Sequence, residues 1–415
     1  MVISILGLSG KNKDKTETTT AFYDAQLLAK KSGDYHNATH FLLENYSNEK
    51  FFFLGTQKAI DFQKELLDFS GTQTEFIEIE DNSLDDIFEN VFELIAQAHE
   101  DETILLDITH GFRHQPISAI FSATLHRFLH NDSLQIVFAK QIVEYKEYEY
   151  ILLNQYLDIT QLSLLLTGFI RTLNFVEGVQ IEGFETVAFA NFSKALLSND
   201  FYTLQTSHKN LLATVRRAKE DQRFDHLKDL FGQIEETLSV FDNFGEKALY
   251  EQYLIVANLM FSKNYILLSL TYLFEALRFY CKAAFDKKGL INRYAKENLS
   301  NYHLNQAIIS FITQDLIDEY KPTFYDRRYP HLYAANKELF CTISETYKHL
   351  KELRNKLTHI NSEEHSPDIK TKLKTQLQQI LHIIENDMLQ TLDTKTKSTP
   401  SKPKERVVKD LRKKR

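Results

Sequence analysis

The spacing of apolar residues changes once along this chain, and that change limits its fold more than any other feature. Over roughly the first 155 residues, short apolar runs alternate with helical stripes. From Thr160 to about Met388 only the helical spacing recurs. The runs Val2–Leu8, Lys50–Leu54, Thr74–Ile79, Thr103–Ile108 and Leu134–Phe138 are nearly continuous in Val, Ile, Leu and Phe, as expected of parallel strands covered on both faces.

Between these runs, Ala59, Phe62, Leu66 and Phe69 recur at helical spacing, as do Ile87, Val91, Leu94 and Ile95 behind Ser83 and Asp86. The strongest stripe is Ile117, Ile120, Phe121, Thr124, Leu125, Phe128 and Leu129, with Pro116 expected at the first helical position. Gln141–Asn154 alternates Val, Tyr and Ile and predicts a closing β-hairpin. This order predicts an α/β Rossmann-like domain over 1–158 and an all-α domain over 159–393. Gly178–Gly183 is the expected joint between early helices, and Ile266–Phe285, apolar on nearly every side, the centre of the bundle.

Charge divides at the far end. Residues 394–415 hold ten Lys and Arg against two acids, a net of +8; the formal charge of −8 therefore leaves −16 on the rest. An acidic body excludes a protein that coats nucleic acid with bulk positive charge, and the basic, Pro-containing tail is expected to be disordered. The two cysteines, Cys281 and Cys341, form no CxxC pair, so reduced thiols in the cytoplasm are the simple expectation. The opening MVISILGLSG lacks the basic residues of a secretory signal, and no apolar stretch nears the roughly 20 residues that span a bilayer, so no membrane partner is expected.

Ligands of open parallel sheets bind beyond the carboxyl ends of the strands. Two loops there carry chemistry. In Gly7-Leu-Ser-Gly10-Lys11 the glycines admit close backbone approach, and Ser9 and Lys11 can reach a phosphate. In Asp107-Ile-Thr-His-Gly-Phe-Arg113 a strand ends in a carboxylate, and Thr109, His110, Gly111 and Arg113 gather before a helix.

This second loop resembles the DxTHGFR signature of CARF domains in CRISPR-associated ribonucleases, a likeness that covers about the first 160 residues. The resemblance implies a cyclic oligoadenylate bound across a two-fold axis of a homodimer. It adds Phe112, the Gly7–Gly10 turn and the strand end at Leu54-Gly-Thr56, hence Thr56, to the expected ligand contacts. Lys11–Thr20 is richer in Lys and Thr than that pattern.

In the helical half, Leu339, Ile343, Tyr347, Leu350 and Leu357 form one stripe, and Arg354 falls on it. A guanidinium on an apolar face must be paired or lie at an interface. Arg354-Asn-Lys-Leu-Thr-His359 then sets a histidine five residues on. Such a pair suits metal-independent RNA cleavage. A ribose 2′-hydroxyl attacks its own 3′-phosphate, a group of pKa near 7 moves the protons, and a fixed cation meets the phosphorane charge.

The spacing arises by chance roughly 1.5 times in a chain of this composition, so its place in a helical domain behind a CARF-like one carries the weight. Arg354–His359 resembles the RxxxxH motif of HEPN ribonucleases. That resemblance implies a composite site from two subunits: Arg354 stabilises the transition state, His359 transfers protons and Asn355 orients the phosphate. The helix is expected to end or distort near Thr358. Other features carry less. His36/His40, His110/His114 and His126/His130 lack carboxylate partners for a metal, so no metal site is expected; Tyr325–His331 is expected to be a loop.

Together these imply a cyclic oligoadenylate-activated endoribonuclease acting on single-stranded RNA in type III CRISPR antiviral defence. It would need no cofactor beyond the allosteric activator. Two alternatives stand beside it: a sensor with a non-catalytic helical effector, and a ring nuclease that degrades the cyclic nucleotide at Ser9, Thr109 and His110.

Overall fold

A computed structural model describes residues 1–11, 17–80, 83, 85–99, 102–130, 134–291, 299–314, 328–358 and 366–394. The chain divides into two compact units, Met1–Thr237 and Leu238–Arg415. His359 and the tail from residue 395 lie outside the described residues, as do the residues just beyond Thr358, where the helix was expected to end or distort, and Tyr325–Arg327.

The first unit is built on one eight-stranded sheet. The strands are β1 (Val2–Ile5), β2 (Ala21–Asp24), β3 (Gly33–Tyr35), β4 (Lys50–Gly55), β5 (Gln73–Glu78), β6 (Ile104–Asp107), β7 (Leu134–Val143) and β8 (Glu147–Leu152), in the order β3-β2-β8-β7-β6-β1-β4-β5. The five runs expected as parallel strands form a continuous parallel block, β5-β4-β1-β6-β7. The expected hairpin is the antiparallel pair β7–β8. The sequence patterns missed β2 and β3, which lie beyond β8.

Period-2 alternation sorts the strand residues to two cores. Ile3, Ile5, Phe52, Leu54, Ile104, Leu106 and Ile136 face one side, against Ile87 and Val91 of helix α3 (Asp85–Ala96) and Ala119 and Ala123 of α4 (His114–His130). Val2, Phe51, Phe53, Leu105 and Val137 face the other, against Phe41 and Leu42 of α1 (Ala38–Asn45) and Ala59 and Ile60 of α2 (Gln57–Leu66). Both faces are covered, which is why KFFFL reads as one apolar run.

The rest of this unit is helical: α5 (Asn154–Thr172), α6 (Thr186–Leu197), α7 (Phe201–Glu220) and α8 (Lys228–Leu238). Gly178 and Gly183, both at positive φ, lie between α5 and α6, where the joint was expected. Helical structure thus begins within the first unit, and that unit extends well past the sheet.

In the second unit, α9 (Leu249–Ser262) pairs with the long α10 (Ile266–Lys287), which also packs on α11 (Asn301–Thr313), α13 (Lys337–Thr358) and α14 (Ser366–Glu385). Twelve of the 22 residues of α10 are buried, so it is the central helix the sequence implied. The short α12 (Arg328–Ala335) precedes α13 and corrects the loop expected at Tyr325–His331 over its last four residues. Among the described residues, no helix is long and apolar enough to cross a membrane.

Candidate functional site

The carboxyl ends of β4, β1 and β6 lie side by side in the parallel block, and three loops leave them. A cavity of about 330 Å³ there is lined by Gly7, Leu8, Thr56, Lys58, Phe112 and Gln115, with Leu6, Ala59 and Gly111 completing the wall. Residues separated by about a hundred positions thus share one wall.

Much of this region is framework. Asp107 ends β6 fully buried; its Oδ2 accepts from Ser4 Oγ on β1 at 2.8 Å, and its Oδ1 accepts from the Thr109 backbone N–H at 3.2 Å and from the Thr109 hydroxyl. Burial pushes the Asp107 carboxyl up to about 6, against those hydrogen bonds. Thr109 Oγ1 in turn accepts from Ala139 N at 2.9 Å, so this hydroxyl ties β6 to β7. Gln63 Nε2 donates to Gly7 O at 2.6 Å, and Asn37 Nδ2 donates to Ser9 O at 2.8 Å and to Gln63 Oε1 at 2.9 Å. Both amides are fully buried. Sequence reasoning missed them because a lone Asn before a helix, or a lone Gln within one, carries no pattern.

The glycines are needed for space. At Gly7 an added Cβ would lie 2.9 Å from His110 Cβ. Gly111 has φ +96°, and its Cβ would meet Ile5 Cγ2 at 2.6 Å and Gln115 Oε1 at 2.7 Å. Gly10, at φ +111°, passes as tightly between Leu66 and His36.

The polar groups divide by charge. Ser9 Oγ lies 3.2 Å from His110 Nε2, and burial lowers the His110 pKa to about 4. A neutral imidazole gives hydrogen bonding but no positive charge. Lys11 is engaged elsewhere: its Nζ pairs with Glu65 at 2.8 Å and lies over the Phe62 ring at 5.2 Å. The Thr56 hydroxyl caps α2 by accepting from Ala59 N at 3.3 Å. Lys58 is an exposed cation on the cavity wall, whereas Arg113 is exposed but is not among the lining residues. Lys58 was not singled out from sequence; its position on the first turn of α2, beside Thr56, is the signal that could have found it. Gln115 braces the loop, its Oε1 accepting from Phe112 N at 2.9 Å. Its Nε2 is buried and has no partner among the described residues.

Phe112 is half exposed at the rim. Beyond it, Ile117, Phe121 and Leu125 run along the outer face of α4, at 54%, 65% and 42% exposure. The helix starts at His114, two residues earlier than expected, so Pro116 is its third residue.

In the second unit, the buried face of α13 is centred on Phe340, Ile343, Leu350 and Leu353, slightly rotated from the stripe read in the sequence. Arg354 therefore lies at the edge of that face, half buried, its guanidinium 4.8 Å over the Phe274 ring. That ring meets the apolar stripe's demand for a partner, since an aromatic face attracts a guanidinium by about 0.5–2 kcal/mol. Phe274 also packs on Tyr347, ring centres 4.8 Å apart. Asn355 is exposed, and Thr358 Oγ1 donates to the carbonyls of Arg354 and Asn355 at 3.0 and 3.2 Å.

Sequence reasoning missed Arg278. It sits on α10 at 3% exposure, its Nη1 donating to Glu275 Oε1 at 2.6 Å. Its guanidinium lies 5.7 Å from the Phe274 ring centre and 5.3 Å from that of Tyr302. Burial raises the Tyr347 pKa, while Arg278 and Arg354 both act to lower it.

No family model matches this chain, and no curated protein does. Among solved structures it is similar to Enterococcus italicus Csm6 bound to cyclic hexa-2'-fluoro-hexa-dAMP. The likeness covers 94% of this chain and 96% of that one, at 14% identity and a TM-score of 0.41.

Proposed function

We propose that this chain is a CARF–HEPN ribonuclease of type III CRISPR defence, in which a cyclic oligoadenylate held by the first unit switches on cleavage of single-stranded RNA by the second. The observation that carries this reading is the convergence of the Gly7–Lys11, Thr56 and Asp107–Arg113 segments on one set of parallel strand ends. There, tightly packed glycines and a braced loop face a cavity. Backbone N–H groups, Lys58 and Arg113 would meet the ligand's phosphates. The apolar face Ile117–Phe121–Leu125 of α4 would pair with its equivalent in a second copy, and an apolar patch of this kind calls for a cover.

In the second unit, Arg354 would stabilise the pentavalent phosphorus and Asn355 would orient the phosphate. His359 would move protons between the attacking 2′-hydroxyl and the leaving 5′-oxygen. The chemistry asks for no metal, since acid–base transfer and a fixed cation suffice. It leaves a 2′,3′-cyclic phosphate on the upstream fragment. The test is the product: mass spectrometry of fragments made in EDTA should find that cyclic phosphate, and a 2′-deoxy substitution at the scissile nucleotide should block the cut. Fragments with 5′-phosphate and 3′-hydroxyl ends would overturn the mechanism.

A second reading has one observation in its favour. A hydroxyl, Ser9 Oγ, lies beside the neutral imidazole of His110, a pairing able to activate a 2′-hydroxyl of the bound ligand. Loss of the cyclic ligand on incubation with a His359→Ala variant would support such hydrolysis in the first unit.

A further inference from the structure

Arg278 costs the fold more than a structural arginine should. Its guanidinium is buried, and among the described residues its Nε and Nη2 have no hydrogen-bond partner. Burying unsatisfied donors of a charged group carries the full desolvation penalty of those donors. What the guanidinium does touch are two rings. On one side is Phe274, shared with Arg354. On the other is Tyr302, on the first turn of α11, whose side chain is 59% exposed. The series Tyr302–Arg278–Phe274–Arg354 thus links an open aromatic ring to the guanidinium assigned to the scissile phosphate. Glu275, 27% exposed, is the carboxylate paired with Arg278. The Tyr302 hydroxyl accepts from Gln306 Nε2 at 3.3 Å.

We propose that Tyr302 is a nucleobase-stacking subsite of the RNA site, with buried Arg278 as the residue that positions it. This rests on the reading of Arg354 as part of that site. A ring fixed from beneath by a cation keeps its outer face presented and loses little freedom when a base stacks on it. Stacking of this kind is sequence-tolerant, because every base has a π-face. The subsite would hold a nucleotide next to the scissile phosphate, so it acts on binding and leaves the chemical step to Arg354 and His359.

The experiment uses the full-length protein in EDTA with a fluorescein-labelled single-stranded RNA. The RNA is 2′-O-methylated throughout for binding and unmodified for cleavage. Tyr302→Ala should weaken binding and raise KM about tenfold with kcat within twofold, and Tyr302→Phe should restore both. On strands each made abasic at one position, one position should cost the wild type about tenfold and cost Tyr302→Ala nothing further. Arg278→Met, checked by circular dichroism for retained helix, should reproduce the KM effect of Tyr302→Ala. Wild-type cleavage that depends on Arg354 while Tyr302→Ala binds as well as wild type overturns the subsite alone. Wild-type protein that neither binds nor cleaves the RNA overturns the ribonuclease reading and the subsite with it.

Discussion

The two units solve opposite electrostatic problems. Around the strand-end cavity, polar side chains largely satisfy one another: Asp107 is held by Ser4 and Thr109, Gly7 and Ser9 carbonyls by Gln63 and Asn37, and Lys11 by Glu65. His110 beside them is kept neutral. On α10 and α13, two guanidinium groups share one phenyl ring, with a single paired carboxylate among the described residues and, for one of them, donors without a partner there. The first arrangement suits a ligand read by shape and backbone contacts. Among the described residues the second holds more positive than negative charge, which would suit a site for a reacting phosphate.

The largest effect should separate the two. Arg354→Ala and His359→Ala should each lower RNA cleavage by at least about a hundredfold, while calorimetry finds cyclic oligoadenylate bound as tightly as by wild type. Loss of ligand binding in either variant would break the division of labour.

The converse substitution is Gly111→Ala. Its Cβ would strike Ile5 and Gln115 from a left-handed backbone, costing about 1–3 kcal/mol. Ligand affinity should fall tenfold or more and the melting temperature should drop. Cleavage at saturating ligand should stay within a few-fold of wild type.

Phe121→Asp should come next. A charge on the exposed α4 stripe should shift the protein toward monomer in sedimentation velocity and raise the ligand concentration needed for half-activation several-fold. An unchanged sedimentation profile would remove α4 from the pairing surface.

The smallest effect concerns pH. An unfolded imidazole protonates near 6.5, while His110 in the fold holds out to about 4. As pH falls from 7, the unfolded chain takes up this proton first. The stability that neutral His110 contributes is therefore full above about pH 6.5 and declines toward pH 4. Asp107, with its carboxyl pushed up to about 6, works in the opposite direction between roughly pH 4 and 6. Urea unfolding at pH 7.5 and 5.0 should therefore show a larger acid loss for wild type than for His110→Gln, in which only the Asp107 contribution remains. Equal losses would mean that His110 is protonated in the fold.

The parallel strands and the loops at their ends were legible because burial on both faces demands continuous apolar residues, as in Phe51–Leu54, and because a turn crowded with Thr, His, Gly and Arg is rare. β2 and β3 were not. They have four and three residues, and the pattern of β2 alternates between buried and exposed. Tyr23 owes its burial to distant partners, stacking on Tyr148 with ring centres 4.8 Å apart. Arg278 was hidden for a related reason. Within an apolar helix a single arginine reads as an exposed break, and only tertiary packing places Phe274 and Tyr302 against it. Arg354 could be placed on α13 from its spacing, but the ring beneath it belongs to α10, some eighty residues earlier.

The central claim is that ligand in the first unit governs cleavage in the second. The most direct test is the single-turnover rate on unmodified single-stranded RNA in EDTA, with and without each cyclic oligoadenylate, in wild type and in His359→Ala. The account predicts that one ring size raises the wild-type rate by well over tenfold and that His359→Ala shows no cleavage at any ligand concentration. Equal wild-type rates with and without every ligand, or undiminished cleavage by His359→Ala, would contradict it.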